Sequence, residues 1–274
     1  MGPRARDAIP PAEGAYAEYA PSADLRRLVA CTWVAHTARE ASHPRPVLAD
    51  ACSDVVVIGD AAPHVAGPAT RTHMVATPPG TIVVGIRFRP GAARAAFGCD
   101  AGELCDANPE LRAVCGRSES ALGAELSAAA TTDAMRAALE RWARRRLAPR
   151  ADRDAGALRA AAALLVDPTL TVGALGHSLG WSARRLHREI TATCGYGPKM
   201  LQRIVRMQRT LRLARRRART LRANPLPLAS LALDAGYADQ AHMTRELRDL
   251  TGFTPRELLT RQRADVGRWM DELD

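Results

Sequence analysis

The sequence lacks a long hydrophobic run. The uncharged stretch THMVATPPGTIVVGI is interrupted by two prolines, whereas a membrane-spanning helix needs about 20 predominantly apolar residues. The first twenty residues are punctuated by proline and charge, and they hold no apolar segment of the kind that a signal peptide requires. We therefore predict a cytoplasmic protein with no membrane partner.

Closely spaced cysteine pairs are also absent. The six cysteines lie at positions 31, 52, 99, 105, 115 and 194, and such thiols usually stay free in a reducing compartment. This spacing argues against a disulfide framework and matches no common zinc pattern. There is neither a nucleophile turn nor a local pairing of Cys with His. We predict no catalytic residue, no metal and no cofactor.

Lysine is nearly missing, since the chain has one lysine against 38 arginines, and the positive charge is uneven. Residues 1–149 carry 17 basic and 16 acidic side chains, whereas residues 150–274 carry 22 and 13. Residues 199–222 alone hold ten basic side chains and no acidic one. Such a cluster is typical of a surface that faces a polyanion, although a solvated helix in an arginine-rich proteome is the alternative.

Composition divides the chain into two domains of an α+β protein. Residues 1–149 begin with short apolar runs broken by Pro, Gly and Asp, which predict a β-barrel or sandwich, and continue with helices between about residues 92 and 147. Residues 150–156 form a predicted linker. Residues 157–266 are predicted to be entirely helical, with prolines at helix starts or in loops.

A helix-turn-helix pattern occurs twice in the helical half. At an offset of 56 residues, Leu175, Gly180 and Trp181 correspond to Leu231, Gly236 and Tyr237. At an offset of 57, Ile190, Gly195, Tyr196 and Pro198 correspond to Leu247, Gly252, Phe253 and Pro255. One residue has therefore been added after the turn of the second unit. Two such units in a basic context are typical of a protein that places two helices in successive stretches of the DNA major groove.

In the first unit, Thr171 and Ser182 are predicted helix caps, and Gly180 makes the turn. On the second helix of this unit, Leu186 and Ile190 point inward by helical spacing, and the opposite face presents Arg184, His187 and Arg188. Arginine can bond two acceptors of guanine. Polar residues that are merely solvated are the alternative interpretation.

The second unit repeats this pattern with different chemistry. Met243, Leu247 and Leu250 form its inner stripe. Its outward face comprises Gln240, a natural reader of adenine, with Ala241, Thr244, Arg245 and Arg248. We expect Arg248 to meet the DNA backbone, and His242 to be packed or half-exposed. The outward residues of both units, together with Ser182 and Arg185 of the first unit, are the DNA-binding candidates.

A continuous helix from Pro198 to about Arg219 is predicted between the units. Its length of roughly 33 Å matches one turn of B-DNA, which is about 34 Å. A single chain could then read two half-sites, so dimerisation is optional for binding.

The duplicated unit resembles the DNA-binding domain of AraC/XylS-family transcriptional regulators. The resemblance rests on GWSARRLHREI with CGYGP in the first unit, and on ALDAGYADQAHMTRELR with TGFTPREL in the second. It implies that base-reading positions fall on Arg184, His187 and Arg188 and on Gln240, Ala241, Thr244 and Arg245. Ala241 replaces a residue that is often polar, and Leu247 stands where Phe is usual.

The N-terminal half resembles the β-rich domain of an uncharacterised branch of the same family. VLADACSD stands in place of a more usual Pro-Asp-Gly-Cys-like turn, with Ala49 and Ala51 as the departures. This resemblance implies a cupin-like barrel that binds an effector or forms a dimer. Candidate effector-binding residues in such a barrel are Trp33, His36, Val57, His73, Arg87 and Arg89. The alternative for Arg87 and Arg89 is that they are ordinary outward-facing charges of a strand.

Three other hypotheses remain open. A thiol- or metal-responsive regulator would use Cys99, Cys105 and Cys115. A DNA-repair enzyme would need a cysteine activated by a neighbouring base or metal. A nonspecific architectural protein would need only the basic connector. We favour a one-component transcription regulator that binds double-stranded DNA and has RNA polymerase, a small-molecule effector and a second copy of itself as candidate partners.

Overall fold

The computed structural model describes residues 16–39, 44–116, 120–149, 154–167, 169–221 and 227–264. Residues 150–153 of the predicted linker lie outside this part of the chain, as do residues 265 and 266 at the predicted end of the helical domain. No helix in the described ranges combines the length and apolar character that a membrane crossing needs.

The described part of the N-terminal half begins with seven strands that pair antiparallel. They are β1 (Tyr16–Tyr19), β2 (Val29–His36), β3 (Arg45–Val47), β4 (Ser53–Ile58), β5 (His64–Ala66), β6 (His73–Val75) and β7 (Ile82–Phe88). Five of them make one sheet in the order β1-β2-β7-β4-β5, and β3 pairs with β6 in a separate ribbon. In this order β7 lies at the centre of the main sheet, and it is the most buried of these strands.

The β-rich N-terminal half was predicted correctly, but the implied barrel is not closed in the described residues. The ribbon of β3 and β6 stays separate from the main sheet. Each strand of the ribbon has only three residues, and Pro46 has no backbone N–H to donate. Strands this short offer few hydrogen bonds with which to join the ends of the larger sheet.

One face of the main sheet packs against helices. These are α1 (Ala93–Phe97), a 3₁₀ helix (Ala101–Leu104), α2 (Leu111–Cys115), α3 (Ser120–Ser127) and α4 (Thr132–Leu147). Phe88 at the end of β7 contacts Phe97 and Trp142 edge to face, with ring centroids 5.6 and 6.1 Å apart. This aromatic cluster is fully buried and forms the centre of the N-terminal core.

The second half of the described chain is helical, as the sequence predicts. Its helices are α5 (Ala155–Val166), α6 (Val172–Leu179), α7 (Ala183–Cys194), α8 (Pro198–Leu221), α9 (Leu228–Ala235), α10 (Gln240–Thr251) and α11 (Pro255–Ala264). The connector α8 has 24 residues, which corresponds to a length of about 36 Å.

A turn of the N-terminal half is inserted into the helical core. Ala49 and Ala51 are buried there, and the Ala49 carbonyl accepts a 2.6 Å hydrogen bond from Gln208 Nε2 on α8. Ala51 has φ +67°, in the left-handed region that favours glycine. The turn thus has a glycine-like backbone although its residue is alanine, and the two halves of the chain share an interface.

Candidate nucleic-acid interface

The two helix-turn-helix units have nearly the same backbone. In each, an eight-residue helix (α6 or α9) is followed by a glycine in the left-handed region and then by a twelve-residue helix (α7 or α10). The glycines Gly180 and Gly236 have φ +63° and +92°. Two residues separate Gly180 from α7, whereas three separate Gly236 from α10, which confirms the predicted position of the added residue.

Side-chain caps fix the start of each second helix. Ser182 Oγ accepts a hydrogen bond from the Arg185 backbone N–H at 3.2 Å, and Asp239 Oδ1 accepts one from the His242 N–H at 2.6 Å. Such caps satisfy backbone N–H groups that have no partner within the helix. The Ser182 hydroxyl, a DNA-binding candidate, is therefore engaged in holding α7.

Helix α7 presents its basic residues to solvent. Leu186 and Ile190 are fully buried, and the side chains exposed on the other faces are Arg184, Arg185, His187 and Arg188. Three of these are already in contact with neighbouring residues. Arg185 lies over the Trp181 ring at 4.7 Å, Arg188 donates to the Glu189 carboxylate at 2.8 Å, and the His187 ring packs against the backbone of Gly197.

Helix α10 presents fewer charges. Met243, Leu247 and Leu250 are buried, as predicted, whereas Gln240, Ala241, Arg245 and Arg248 are exposed. Thr244 is half-buried, and its hydroxyl donates to the Gln240 carbonyl at 2.8 Å. His242 is half-exposed, and its ring meets Tyr237 edge to face. The polar face of α10 therefore has arginine and glutamine as its long hydrogen-bonding groups.

An ion-pair cluster holds α10 against α8. Arg206 donates to both oxygens of Glu246 at 3.1 and 2.7 Å, and Arg203 lies 3.3 Å from the same carboxylate. Glu246 is almost completely buried, and a bidentate guanidinium pair of this kind fixes orientation as well as distance.

Because α10 packs at Arg206, about 12 Å from the start of α8, the connector does not separate the two units by its whole length. This differs from the expectation that the full helix acts as a spacer. Side-chain packing near the first half of α8 therefore contributes to the position of the second unit.

The proposed effector residues do not line one common pocket in the described chain. Arg87 is buried on the central strand, where Asp54, Glu18 and Asp50 surround it at 3.1, 3.5 and 3.7 Å. Trp33 donates its indole N–H to Asp54 at 3.0 Å and packs on Gly85. Burial raises the pKa of Asp54, although the Arg87 guanidinium works in the opposite direction. Arg87 and Trp33 thus belong to a satisfied charged cluster in the sheet.

The other proposed effector residues are dispersed. His36 lies at the end of β2 on the face opposite to Trp33, because strand neighbours alternate. His73 lies on the separate ribbon, 3.4 Å from Asp106, and Val57 belongs to the N-terminal core. Arg89 follows β7 and donates to the Arg26 carbonyl at 2.8 Å. With Arg87, it lines a small cavity of about 170 Å³.

A much larger cleft, of about 860 Å³, lies between the two halves of the chain. Its apolar wall comes mainly from α5 and α8, with Leu158, Leu165, Val205 and Leu213 among its residues. Among the described residues, six arginines and one acidic residue also line it: Arg27, Arg89, Arg159, Arg209, Arg212, Arg216 and Asp50. The described lining therefore combines apolar surface with several arginines.

The three cysteines of the metal hypothesis do not converge. Cys99 and Cys115 pack beside the N-terminal core, whereas Cys105 packs beside the helical core. The described residues contain no group of three or more His, Cys, Asp or Glu side chains that could hold a metal ion. Burial also raises the pKa of Cys99 and Cys105, which disfavours the reactive thiolate.

Sequence reasoning overlooked Glu246 and the interdomain cleft. A signal for Glu246 was present, because Glu189 and Glu246 occupy the same position in the two repeats. A charged residue retained beside the buried stripe of a helix indicates a partner for that charge. The cleft left no comparable signal, since its lining residues come from distant parts of the sequence.

Comparison with known proteins gives two family matches. Residues 17–110 match a domain of unknown function, DUF6597, and residues 175–261 match a helix-turn-helix domain. The second match spans α7 and α10, the two helices with exposed basic or polar faces. No curated protein matches the chain.

Similar solved structures include a probable AraC family regulator and ToxT. A probable AraC family transcriptional regulator from Rhodopseudomonas palustris is 24% identical over 39% of this chain and 95% of its own, with a TM-score of 0.33. ToxT from Vibrio cholerae is 11% identical over 84% of this chain and 97% of its own, with a TM-score of 0.42. ToxT bound to (E)-4-(8-methylnaphthalen-1-yl)but-3-enoic acid is 10% identical over 90% of this chain and 97% of its own, with a TM-score of 0.42.

The family match covers both repeated units, and their caps, turns and exposed faces are those of helix-turn-helix domains. The chain therefore has a helix-turn-helix domain in its C-terminal half and a DUF6597 domain in its N-terminal half, and the first of these supports a DNA-binding transcription regulator.

Proposed function

We propose that this protein reads two half-sites in successive major grooves of one DNA duplex, with α7 and α10 as the two recognition helices. The observation that carries this proposal is the equivalence of the two units. Both recognition helices have twelve residues, a side-chain cap and an exposed polar face opposite a buried stripe. A helix of this kind fits the major groove, where each base pair has a distinct pattern of donors and acceptors.

The long, exposed side chains divide into base readers and backbone contacts. Arg184 and Arg245 make no hydrogen bond or ion pair with other described residues, so they are free to bond guanine. Arg188 is exposed and would reach a base by giving up its ion pair with the partly exposed Glu189 carboxylate. Gln240 suits adenine, and Arg248, deeper along α10, suits a phosphate.

The shorter or engaged candidates have supporting roles. Ser182 and Thr244 use their hydroxyls within their own helices, and the Arg185 guanidinium lies over the Trp181 ring. His187 packs against Gly197, and Ala241 has no polar group, so it suits contact with a thymine methyl. Direct readout is therefore assigned mainly to Arg184, Arg188, Gln240 and Arg245.

Selection of bound duplexes from a random DNA pool tests this function. The full-length protein, at about 150 mM salt, is expected to enrich two short blocks whose centres lie about ten base pairs apart. A single enriched block would contradict two-site reading. A pool that binds but stays random would favour the nonspecific architectural alternative, because specific readers discriminate by about 4 to 10 kcal/mol over random DNA.

The N-terminal half is proposed to sense a small-molecule effector through the interdomain cleft. Arg89, Arg159 and Arg209 in the described lining favour an anion, and the apolar wall from α5 and α8 favours an aromatic or aliphatic body. Because the cleft has walls from both halves of the chain, an occupant would change how they pack and thus the population that can bind DNA.

A matched set of probes tests this chemistry. 4-Phenylbutyrate, 4-phenylbutanol and 4-phenylbutylamine share one apolar body and differ in charge. Calorimetric titration of the full chain is expected to detect binding of the carboxylate, with at least about tenfold weaker binding of the amine. Leu165→Glu should abolish carboxylate binding, whereas Leu233→Glu, an exposed site on α9, should leave it unchanged. Equal affinity for the three probes would exclude an anion site.

Regulation of transcription through DNA binding implies a cytoplasmic location and RNA polymerase as a second macromolecular partner.

Dimerisation through the N-terminal half is the alternative role for that domain. Sedimentation of the full chain separates the two roles, because a monomer across the working concentration range would exclude dimerisation.

A further inference from the structure

Residues 67–73 form a short segment, here called the strap, that is tied firmly to the N-terminal half. The Asp106 carboxylate accepts the Thr70 backbone N–H at 2.8 Å and the Thr70 hydroxyl at 2.6 Å. The Asp106 N–H donates to the Pro68 carbonyl, and the Gly67 N–H to the Ala107 carbonyl, both at 3.0 Å. The pKa of Asp106 lies below its usual value: burial raises it, but the hydrogen bonds from Thr70 and the contact with His73 together outweigh burial.

The beginning of the strap contacts the first helix-turn-helix unit. Pro68 packs on Gly195, the residue that ends α7, so closely that a Cβ on Gly195 would lie 2.6 Å from Pro68 Cγ. The same Cβ would lie 3.1 Å from the Ala101 carbonyl, which belongs to the 3₁₀ helix of the N-terminal half. The end of α7 is therefore seated directly on the N-terminal domain.

The end of the strap contacts the second unit. The Thr72 backbone N–H donates to the Leu250 carbonyl at 2.9 Å, and the Thr72 hydroxyl lies 3.4 Å from the same oxygen. Leu250 is in the last turn of α10, where the carbonyls of a helix have no partner within the helix. Thr72 thus caps α10 from outside the helical domain.

These two contacts lie at equivalent places, the C-terminal ends of the two recognition helices. The four residue steps from Pro68 to Thr72 can span at most about 14 Å even when fully extended. The strap therefore limits how far apart these two helix ends can lie. Neither contact involves the faces of α7 and α10 that carry the proposed base readers.

We infer that the strap, with Pro68 and Thr72 as positioning residues and Asp106 as its anchor, sets the half-site spacing that the protein accepts on DNA. This inference rests on the proposed reading of two half-sites. The N-terminal domain then contributes to DNA specificity without touching DNA, since it fixes the distance between two readers. A longer or looser strap would allow other spacings.

Lengthening the strap tests the inference. Two glycines inserted between Thr70 and Arg71 add up to about 7 Å of reach. The matched control is the same insertion between Ala61 and Ala62, in the exposed turn between β4 and β5. Binding is measured on duplexes that carry both selected blocks, with the spacer shortened or lengthened one base pair at a time.

The wild-type protein and the control insertion are expected to prefer one spacing. For each protein, the affinity at an altered spacing is divided by the affinity at the preferred spacing. This ratio should be at least about tenfold higher for the strap insertion than for the wild type. Two-block binding by the wild type, with the same spacing profile in a folded strap variant, would overturn the inference and leave the proposed function intact. Failure of the wild type to recognise two blocks would instead refute the proposed function, and the inference with it.

Substitution of Asp106 gives a second test that does not alter chain length. Asp106 has φ +57°, a conformation that suits both glycine and asparagine. Asp106→Gly removes the bonds to Thr70 and should broaden the spacing profile. Asp106→Asn keeps one acceptor and should lie between Asp106→Gly and the wild type. A profile that is identical in all three folded proteins would contradict a role for the anchor.

Discussion

The same glutamate has different partners in the two helix-turn-helix units. Glu246 of the second unit is nearly buried and pairs with Arg203 and Arg206 of the connector α8. Its counterpart in the first unit, Glu189, is partly exposed, and it pairs with Arg188 on its own helix and lies 3.9 Å from Arg94 of the N-terminal half. The glutamate is thus present in both units, but it contacts the connector α8 in the second unit and the N-terminal half in the first.

This difference indicates how a signal could reach one unit before the other. The second unit is fastened mainly within the DNA-binding domain, through α8. The first unit rests on the N-terminal half, because α7 packs on α1 and the 3₁₀ helix and Gly195 is seated on Pro68. A change in the N-terminal half therefore acts most directly on the position of α7.

The reading faces differ as well. At matched positions, Arg184 corresponds to Ala241 and His187 to Thr244, while arginine is kept at 188 and 245. The first face can make several strong contacts with guanine, whereas the second combines one such arginine with Gln240. The two half-sites should therefore differ in sequence, so that the protein has a defined orientation on DNA.

The largest expected difference between the units is in stability. Glu246→Ala leaves Arg206 half-buried without its bidentate partner and should lower the free energy of unfolding by about 3 kcal/mol. Glu189→Ala removes only partly exposed pairs and should cost less than about 1 kcal/mol. Urea unfolding of both variants measures this contrast, and equal losses would show that the two anchors are equivalent.

The next effect concerns affinity for the selected duplex. Arg188→Ala and Arg245→Ala should each weaken binding by about 1 to 3 kcal/mol, because each removes a bidentate contact with one base. Competition binding with duplexes altered at single positions measures the loss. Arg248→Ala is the control, and it should reduce affinity evenly across sequences if its partner is a phosphate. An even loss in all three variants would contradict the assignment of Arg188 and Arg245.

The smallest effect concerns the caps, which should behave alike. Ser182→Ala and Asp239→Ala each remove an acceptor for a backbone N–H at the start of a recognition helix, and each should cost about 1 kcal/mol of stability. Thermal unfolding measures both. Ser182→Asp and Asp239→Ser, which exchange one good cap for another, should stay close to the wild type. A cap that could be removed at no cost would contradict the local resemblance of the units.

The local parts of this fold follow from the sequence because they depend on neighbouring residues. The caps at Thr171 and Ser182, the turn at Gly180 and the inner stripes of α7 and α10 are each set by contacts within one or two helical turns. The repeat supports these predictions, because the same order of cap, turn and apolar stripe occurs in both units.

The parts that sequence reasoning did not provide depend on distant contacts. Arg87 was placed in an effector site, but three carboxylates from other strands or turns surround it. The interdomain cleft and the strap arise only when residues more than a hundred positions apart are brought together. Ala51 shows a third limit, because tertiary packing keeps a left-handed turn where the residue itself disfavours one.

The most direct measurement is random-pool selection with the wild type, Arg188→Ala and Arg245→Ala in parallel. Two-site reading predicts that the wild type enriches two blocks, that Arg188→Ala loses information in one of them, and that Arg245→Ala loses it in the other. Loss in the same block for both variants, or no change in either, would contradict the claim that α7 and α10 each read a half-site of their own.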